Sequence, residues 1–350
     1  MLTNRIATIC LSLASLAGAQ TLLTLPEASQ RAIVGQRLGV TDITITYHRP
    51  LVGERKVWGG LVPYGQVWRA GANENTTIRF SDAVKVEGQD LAAGTYGLHM
   101  LPTADACEVI FSKNSTSWGS FTYKKEEDAL RVTVKPQSAD MHEALTYDFD
   151  DVKPDSAVVT LRWEKLAIPF RVSVDETGAA MRSLRSELRG GKQYTWASWY
   201  EAANYALQHK TNLEEALHWA DSSIQSEERF ENLMTKSQIL EALNRASDAK
   251  ASHDRAMEVA NVTQLYFFGR QLQAQNHQPE AMEIFKMVSK RFPNHWISNV
   301  AQARVESAGG NFDDAAKHLQ AALSMGAPEP SKSAVENYLK RVQAKQDFNR

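Results

Sequence analysis

Cysteine is nearly absent from this sequence: of two, Cys10 lies in the first apolar stretch and Cys107 stands alone in the remainder. Once that first stretch is removed, no pair is left to close an intramolecular disulfide, so stability must come from packing. Cys107 sits in CEVIF, in phase with Val109 and Phe111, which reads as a buried small hydrophobe rather than a nucleophile. An excess of charge of one sign is also lacking. Lys and Arg number 39 against 41 Asp and Glu, a net of -2, so no global basic field exists to hold nucleic acid or an anionic bilayer. Long hydrophobic runs are missing too, and no segment reaches the roughly 20 apolar residues that a membrane-spanning helix needs. Finally, there is no G-x-S-x-G, G-x-x-x-x-G-K, G-x-G-x-x-G or H-E-x-x-H. Those absences argue against the commonest hydrolase, nucleotide-binding and zinc-protease chemistries, and no cofactor is implied.

What is present begins with a leader, MLTNRIATICLSLASLAGAQ. Arg5 supplies a positive start, Ile6 to Leu16 a short apolar stretch, and Ala17-Gly18-Ala19 a small-x-small cleavage pattern. Residues 1–19 are therefore expected to be a cleavable secretory signal, with the protein exported to a periplasm or beyond. Cys10 lacks the small residues that precede a lipidated cysteine, so no lipoprotein is expected. The 350 residues suit two domains, each able to bury a core.

From about residue 30 to 174 apolar side chains alternate with polar ones, the period of a half-buried strand. Ile43, Ile45 and Tyr47 follow this rule, as do Ile78 and Phe80, Tyr96, Leu98 and Met100, Leu130 to Val134, and Leu145 to Phe149. Val159, Leu161 and Trp163 lead through Glu164-Lys165 into Ile168 to Val174, which reads as a hairpin. Glycine-bearing turns at residues 86–89 and 92–94 separate neighbouring runs. Many short strands without intervening helices predict an all-β antiparallel sandwich, or a barrel-like relative of one.

After Asp175 the period becomes helical. Met181, Leu184 and Leu188 predict a linker helix within 175–194 that stops at Gly190-Gly191. Residues 195–345 then repeat. NLEEALHWADSSI, RASDAKASHDRAM, HQPEAMEIFKMV and NFDDAAKHLQAAL align on Ala216, Ala249, Ala281 and Ala315, at separations of 33, 32 and 34 residues. Small residues at a period of about 34 resemble tetratricopeptide repeats, in which they let paired helices approach closely. Gly269 and Pro293 strengthen the third unit, whereas Asn204 and Ser237 replace that glycine elsewhere and His253 interrupts a small-residue column. An all-α tetratricopeptide-like C-terminal domain is predicted.

One stretch concentrates unlike polar groups: VWRAGANENTTIRF, approached through Trp58, Tyr64 and several glycines. Trp58, Tyr64 and Trp68 could stack on a ligand or cap a sandwich core. Arg69 offers a donor fork, Glu74 an acceptor, and Asn73 and Asn75 either role. The plainer reading is an Arg69–Glu74 ion pair fastening the loop, with Asn73 or Asn75 bonding nearby backbone in an Asx turn. His48 and His99 fall on the polar phase of their strands and read as surface or rim imidazoles; no metal site is expected. Asp148, Asp150 and Asp151 read as a solvated acidic turn, not a calcium loop.

The blocks GERKVWGGLVPYGQVWRAGANENTTIRFS, VEGQDLAAGTYGLHMLP and LRWEKLAIPFRVSV resemble the bacterial domain of unknown function, family 2911, over about residues 30–174. The resemblance implies an exported all-β domain and carries no activity, substrate or catalytic residue.

The leading functional expectation is an exported binding or scaffold protein. Its β-domain would recognise a small molecule, glycan or peptide at Trp58, Tyr64, Trp68, Arg69, Asn73, Glu74 and Asn75, and its repeats would engage a protein partner. Two alternatives stay open. One is a hydrolase or isomerase using Glu74 as acid or base, with Arg69 and either His48 or His99; the other is a passive envelope component.

Overall fold

The computed structural model describes residues 26–349, so the expected leader lies outside the described residues. The chain divides into two compact units, one ending at Ala180 and the other beginning at Met181.

Ten strands form the first unit: β1 (Gln30–Leu38), β2 (Thr41–Arg49), β3 (Thr77–Phe80), β4 (Val84–Val86), β5 (Gln89–Leu91), β6 (Gly94–Pro102), β7 (Cys107–Ser112), β8 (Asp128–Val134), β9 (Gln137–Asp150) and β10 (Ser156–Val174). They make two antiparallel sheets, one in the order β1-β2-β3-β6-β7-β8 and the other β5-β4-β10-β9. The predicted alternation is the reason. Ile43, Ile45, Tyr47, Ile78, Phe80, Leu98, Met100, Val109 and Phe111 from the larger sheet share one buried core with Leu145, Tyr147, Val159, Leu161, Trp163, Ile168 and Phe170 from the smaller. Burying both inner faces against each other gives the sandwich. Tyr47 and Tyr147 meet edge to face across it, with ring centroids 4.9 Å apart.

The expected hairpin at Glu164-Lys165 does not form. β10 runs unbroken from Ser156 to Val174, and its pairing with β9 shifts register on either side of Glu164, whose φ is 54°. A bulge absorbs the two polar residues without reversing the chain. A tight hairpin does join β4 to β5, where Glu87 and Gly88 both take positive φ, 48° and 78°.

The second unit holds helices paired in hairpins: α2 (Trp196–Gln208) with α3 (Leu213–Ser226), α4 (Phe230–Ala242) with α5 (Ala246–Val259), α6 (Val262–Ala274) with α7 (Gln278–Arg291), and α8 (Trp296–Ala308) with α9 (Phe312–Ser324). α1 (Glu176–Glu187) precedes them and α10 (Ser331–Gln343) follows. Each aligned alanine, Ala216, Ala249, Ala281 and Ala315, is buried in the second helix of its pair. At Gly269 a Cβ would stand 2.7 Å from the Phe285 ring, so glycine is what lets α6 close on α7. Ser237 and Ser252 instead donate from Oγ to the carbonyls of Ala249 and Leu233, both at 2.9 Å, which ties α4 to α5. No helix among the described residues is long and apolar enough to cross a membrane.

Candidate functional site

The loop between β2 and β3 is fastened before it becomes a site. Trp68 exchanges both backbone hydrogen bonds with Met100 of β6, each 2.8 Å. Its indole stacks on Trp163 of β10 at 5.8 Å between centroids, while Trp58 meets both rings edge-on. Trp58 Nε1 donates to the Trp163 carbonyl at 3.3 Å. Two of the three candidate aromatics therefore close the end of the core rather than face a ligand. Tyr64 is half exposed, its ring lying over Gly59. Next in the chain, Ala70 takes φ 50° and is wholly buried, its carbonyl accepting from Tyr147 Oη at 2.9 Å and Thr76 Oγ1 at 3.2 Å.

Arg69 and Glu74 leave this clamp in different directions, and the expected ion pair between them does not form. The Arg69 guanidinium lies 5.8 Å over the Trp118 ring, and its Nε is buried without a hydrogen-bond partner. Burial lowers its pKa from the ordinary guanidinium value. Trp118 stacks in turn on Phe121, both exposed.

Glu74 instead meets His48. This histidine occupies the outward face of β2 and is only 7% exposed, contrary to the rim position expected. Its Nε2 stands 3.3 Å from a Glu74 carboxylate oxygen and 3.3 Å from one of Glu27. Asn73, with φ 54°, donates from Nδ2 to that Glu27 carboxylate at 2.6 Å and to the Ser29 carbonyl at 3.3 Å. Asn75 donates to the Asn114 carbonyl at 3.2 Å. Both asparagines reach across the fold, so neither spends its amide on the local Asx turn expected. Around them is a cavity of about 640 Å³ lined by Glu27, Arg31, His48, Glu74, Asn75 and their neighbours. Glu27, His48 and Glu74 are the one group of metal-competent side chains brought together among the described residues.

His99, on the same outward sheet face in β6, is also buried, at 2% exposed. The segment 113–127 covers it: Nδ1 bonds Ser120 Oγ at 2.8 Å, and the Tyr123 ring lies 5.4 Å away. Desolvation pushes its pKa down to about 4. Tyr123 is itself held by Asp128 at 2.6 Å and pushed up to about 12, chiefly by desolvation. Between His99 and Asn75 sits Gly97, where a Cβ would fall 2.6 Å from Asn75 Nδ2 and 3.2 Å from His99 Nε2. Only a missing side chain lets the two pack so closely.

Asp150 accepts from Thr160 and Arg162 at 2.6 Å each, and Asp151 pairs with Arg171 at 2.8 Å. Two of the three acidic residues are thus paired with arginines, and Asp148 stays exposed. Cys107 is buried, and desolvation raises its thiol to about 12, so it stays protonated.

Residues 29–172 match the family described as "Protein of unknown function (DUF2911)". The tryptophan cluster, all of the strands but the last two residues of β10, and the cavity wall except Pro26 and Glu27 fall inside the matched segment. One similar solved structure is "Crystal structure of APC/C hetero-tetramer Cut9-Hcn1", with 15% identity, 47% of this chain and 33% of that chain covered, and a TM-score of 0.30. Another is "Crystal structure of YrrB: a TPR protein with an unusual peptide-binding site", with 18% identity, 47% and 84% coverage, and a TM-score of 0.28. The match thus spans only about a third of the first of these proteins. No curated protein matches the chain.

Of the seven candidates, Glu74 and Asn75 line the cavity and Asn73 bonds Glu27 on its wall, whereas Trp58 and Trp68 pack with the core and Tyr64 and Arg69 are not among the lining residues. Glu27 and Arg31 were missed. Neither carried a signal, because each is an ordinary charged residue far in sequence from Glu74.

Proposed function

We propose that this chain is an exported binding protein whose β-domain takes a small polar ligand in the His48–Glu74 cavity and whose helical repeats engage a protein partner. The observation that carries the first half is the meeting of His48 Nε2 with two carboxylates, each at 3.3 Å, on the wall of a 640 Å³ cavity. Such a space, with a few convergent polar groups, is the usual form of a ligand site. The repeats support the second half, since stacked hairpins work by presenting extended surfaces. Export rests on the leader pattern of residues 1–19.

The test is a thermal-shift screen of the full chain against oligosaccharides, short peptides and organic acids. A ligand of this site raises the wild-type melting temperature and loses its effect in Arg31→Ala and Glu74→Gln. If no class shifts the wild type, or the variants respond equally, the reading is wrong.

A second reading, acid–base catalysis by Glu74 with His48, is favoured by their 3.3 Å separation. It requires turnover of the bound ligand that Glu74→Gln abolishes while binding persists.

A further inference from the structure

We infer that Glu27, His48 and Glu74 form a site for a divalent transition-metal ion of the zinc type, with a fourth position open to the cavity. This deepens the ligand reading above, because the ion would sit on the same cavity wall, yet the two can fail separately.

Geometry comes first. His48 Nε2 is equidistant, at 3.3 Å, from a Glu27 oxygen and a Glu74 oxygen. All three ligand atoms lie within 4.8 Å of one another. In a tetrahedron with bonds of about 2.0 Å, neighbouring ligand atoms are separated by about 3.3 Å. The alternative is an imidazolium stapling two carboxylates, and it fits less well. Nε2 carries a single hydrogen, which it can only share between the two in a longer three-centre bond, whereas a charge-assisted N–H···O bond directed at one carboxylate closes to about 2.7–2.9 Å. A nitrogen at equal and longer distance from two oxygens suits a ligand sharing a central ion with them. One imidazole and two carboxylates leave a fourth coordination position, as open zinc sites do.

Two surrounding groups point the same way. Asn73 Nδ2 donates at 2.6 Å to the Glu27 oxygen that faces His48, which orients a ligating carboxylate from behind. Asn75 is more than nine-tenths buried, lines the same cavity, and keeps Oδ1 without a hydrogen-bond partner while Nδ2 is engaged by Asn114. A buried acceptor of that kind suits a water bound to the ion. Arg31, also on the cavity wall, would favour a carboxylate or other oxyanion in that water's place.

The experiment uses the full chain, stripped with chelator and titrated with cobalt(II) and then zinc(II). Expected are one cobalt per chain, the intense visible bands of tetrahedral cobalt, and their loss as zinc displaces it. Glu27→Gln and Glu74→Gln keep shape and remove a ligand charge on half-exposed side chains, so both fold and both lose the bands, as does His48→Ala. Asn73→Ala weakens affinity by about 10–100-fold. A pale octahedral spectrum, no cobalt uptake, or bands undiminished in the two glutamine variants overturns the assignment. A ligand-induced thermal shift that survives chelation in a protein taking up no cobalt overturns the metal and leaves the cavity reading standing. Cobalt bands without any ligand-induced shift do the reverse.

Discussion

Trp68 lies nearly parallel to Trp163, 18° between ring planes, although one comes from the loop after β2 and the other from the middle of β10. The same Trp68 is hydrogen-bonded through its backbone to Met100 in the opposite sheet. One residue thus ties the loop that delivers Asn73, Glu74 and Asn75 to both layers of the sandwich.

Removing that indole should cost about 3–5 kcal/mol, the usual range for deleting a packed aromatic. Urea unfolding of Trp68→Ala checks this. Glu74→Gln, by contrast, alters a half-exposed side chain and should stay within about 1 kcal/mol of wild type. Comparable losses in the two variants would mean that Trp68 contributes contact area without anchoring.

His99 should make the β-domain acid-sensitive. Its pKa is pushed from the ordinary 6.5 down to about 4 by burial, so the folded protein holds the ring neutral while the unfolded chain protonates it. The unfolded state therefore binds more protons between those two values, and stability falls as pH drops from about 6.5 towards 4, then levels. The loss attributable to this ring is of order 3 kcal/mol. Stability measured against pH in wild type and His99→Gln should differ in slope within that window and run parallel above it. Equal slopes would remove His99 as the cause.

Arg304 of α8 is fully buried among Tyr266, Phe285, Tyr338 and Phe348, its guanidinium 4.9 to 5.7 Å from their ring centroids. Nε donates to Tyr266 Oη at 3.0 Å and Nη1 to Asn349 Oδ1 at 3.1 Å, so the group fastens the last residues to the final hairpin. Lysine can keep the charge but neither the flat stacking surface nor the fork. Arg304→Lys should lose roughly 2–4 kcal/mol and free the amides of residues 345–349 to hydrogen exchange. Protection of those amides at wild-type levels would count against the role.

The reach of the sequence differs from element to element. Ile43, Ile45 and Tyr47 announced their strand because alternation is a property of consecutive residues, and the alignment of Ala216, Ala249, Ala281 and Ala315 announced the helix pairs for the same local reason. Glu164-Lys165 misled because two polar residues look alike in a turn and in a bulge; only pairing with β9 separates them. His48 and His99 misled for a different reason. Their outward phase was read correctly, but segments distant in the chain, residues 26–29 and 113–127, cover that face and bury them.

By itself the sequence determined the two periods, the sandwich and the paired helices, since each depends on spacing between near neighbours. The tertiary structure alone decided that Glu74 turns to His48 and not to Arg69, and that Glu27 joins them. Those distances are set by how remote segments close over one another, and no local pattern encodes which charged residue arrives at a shared space.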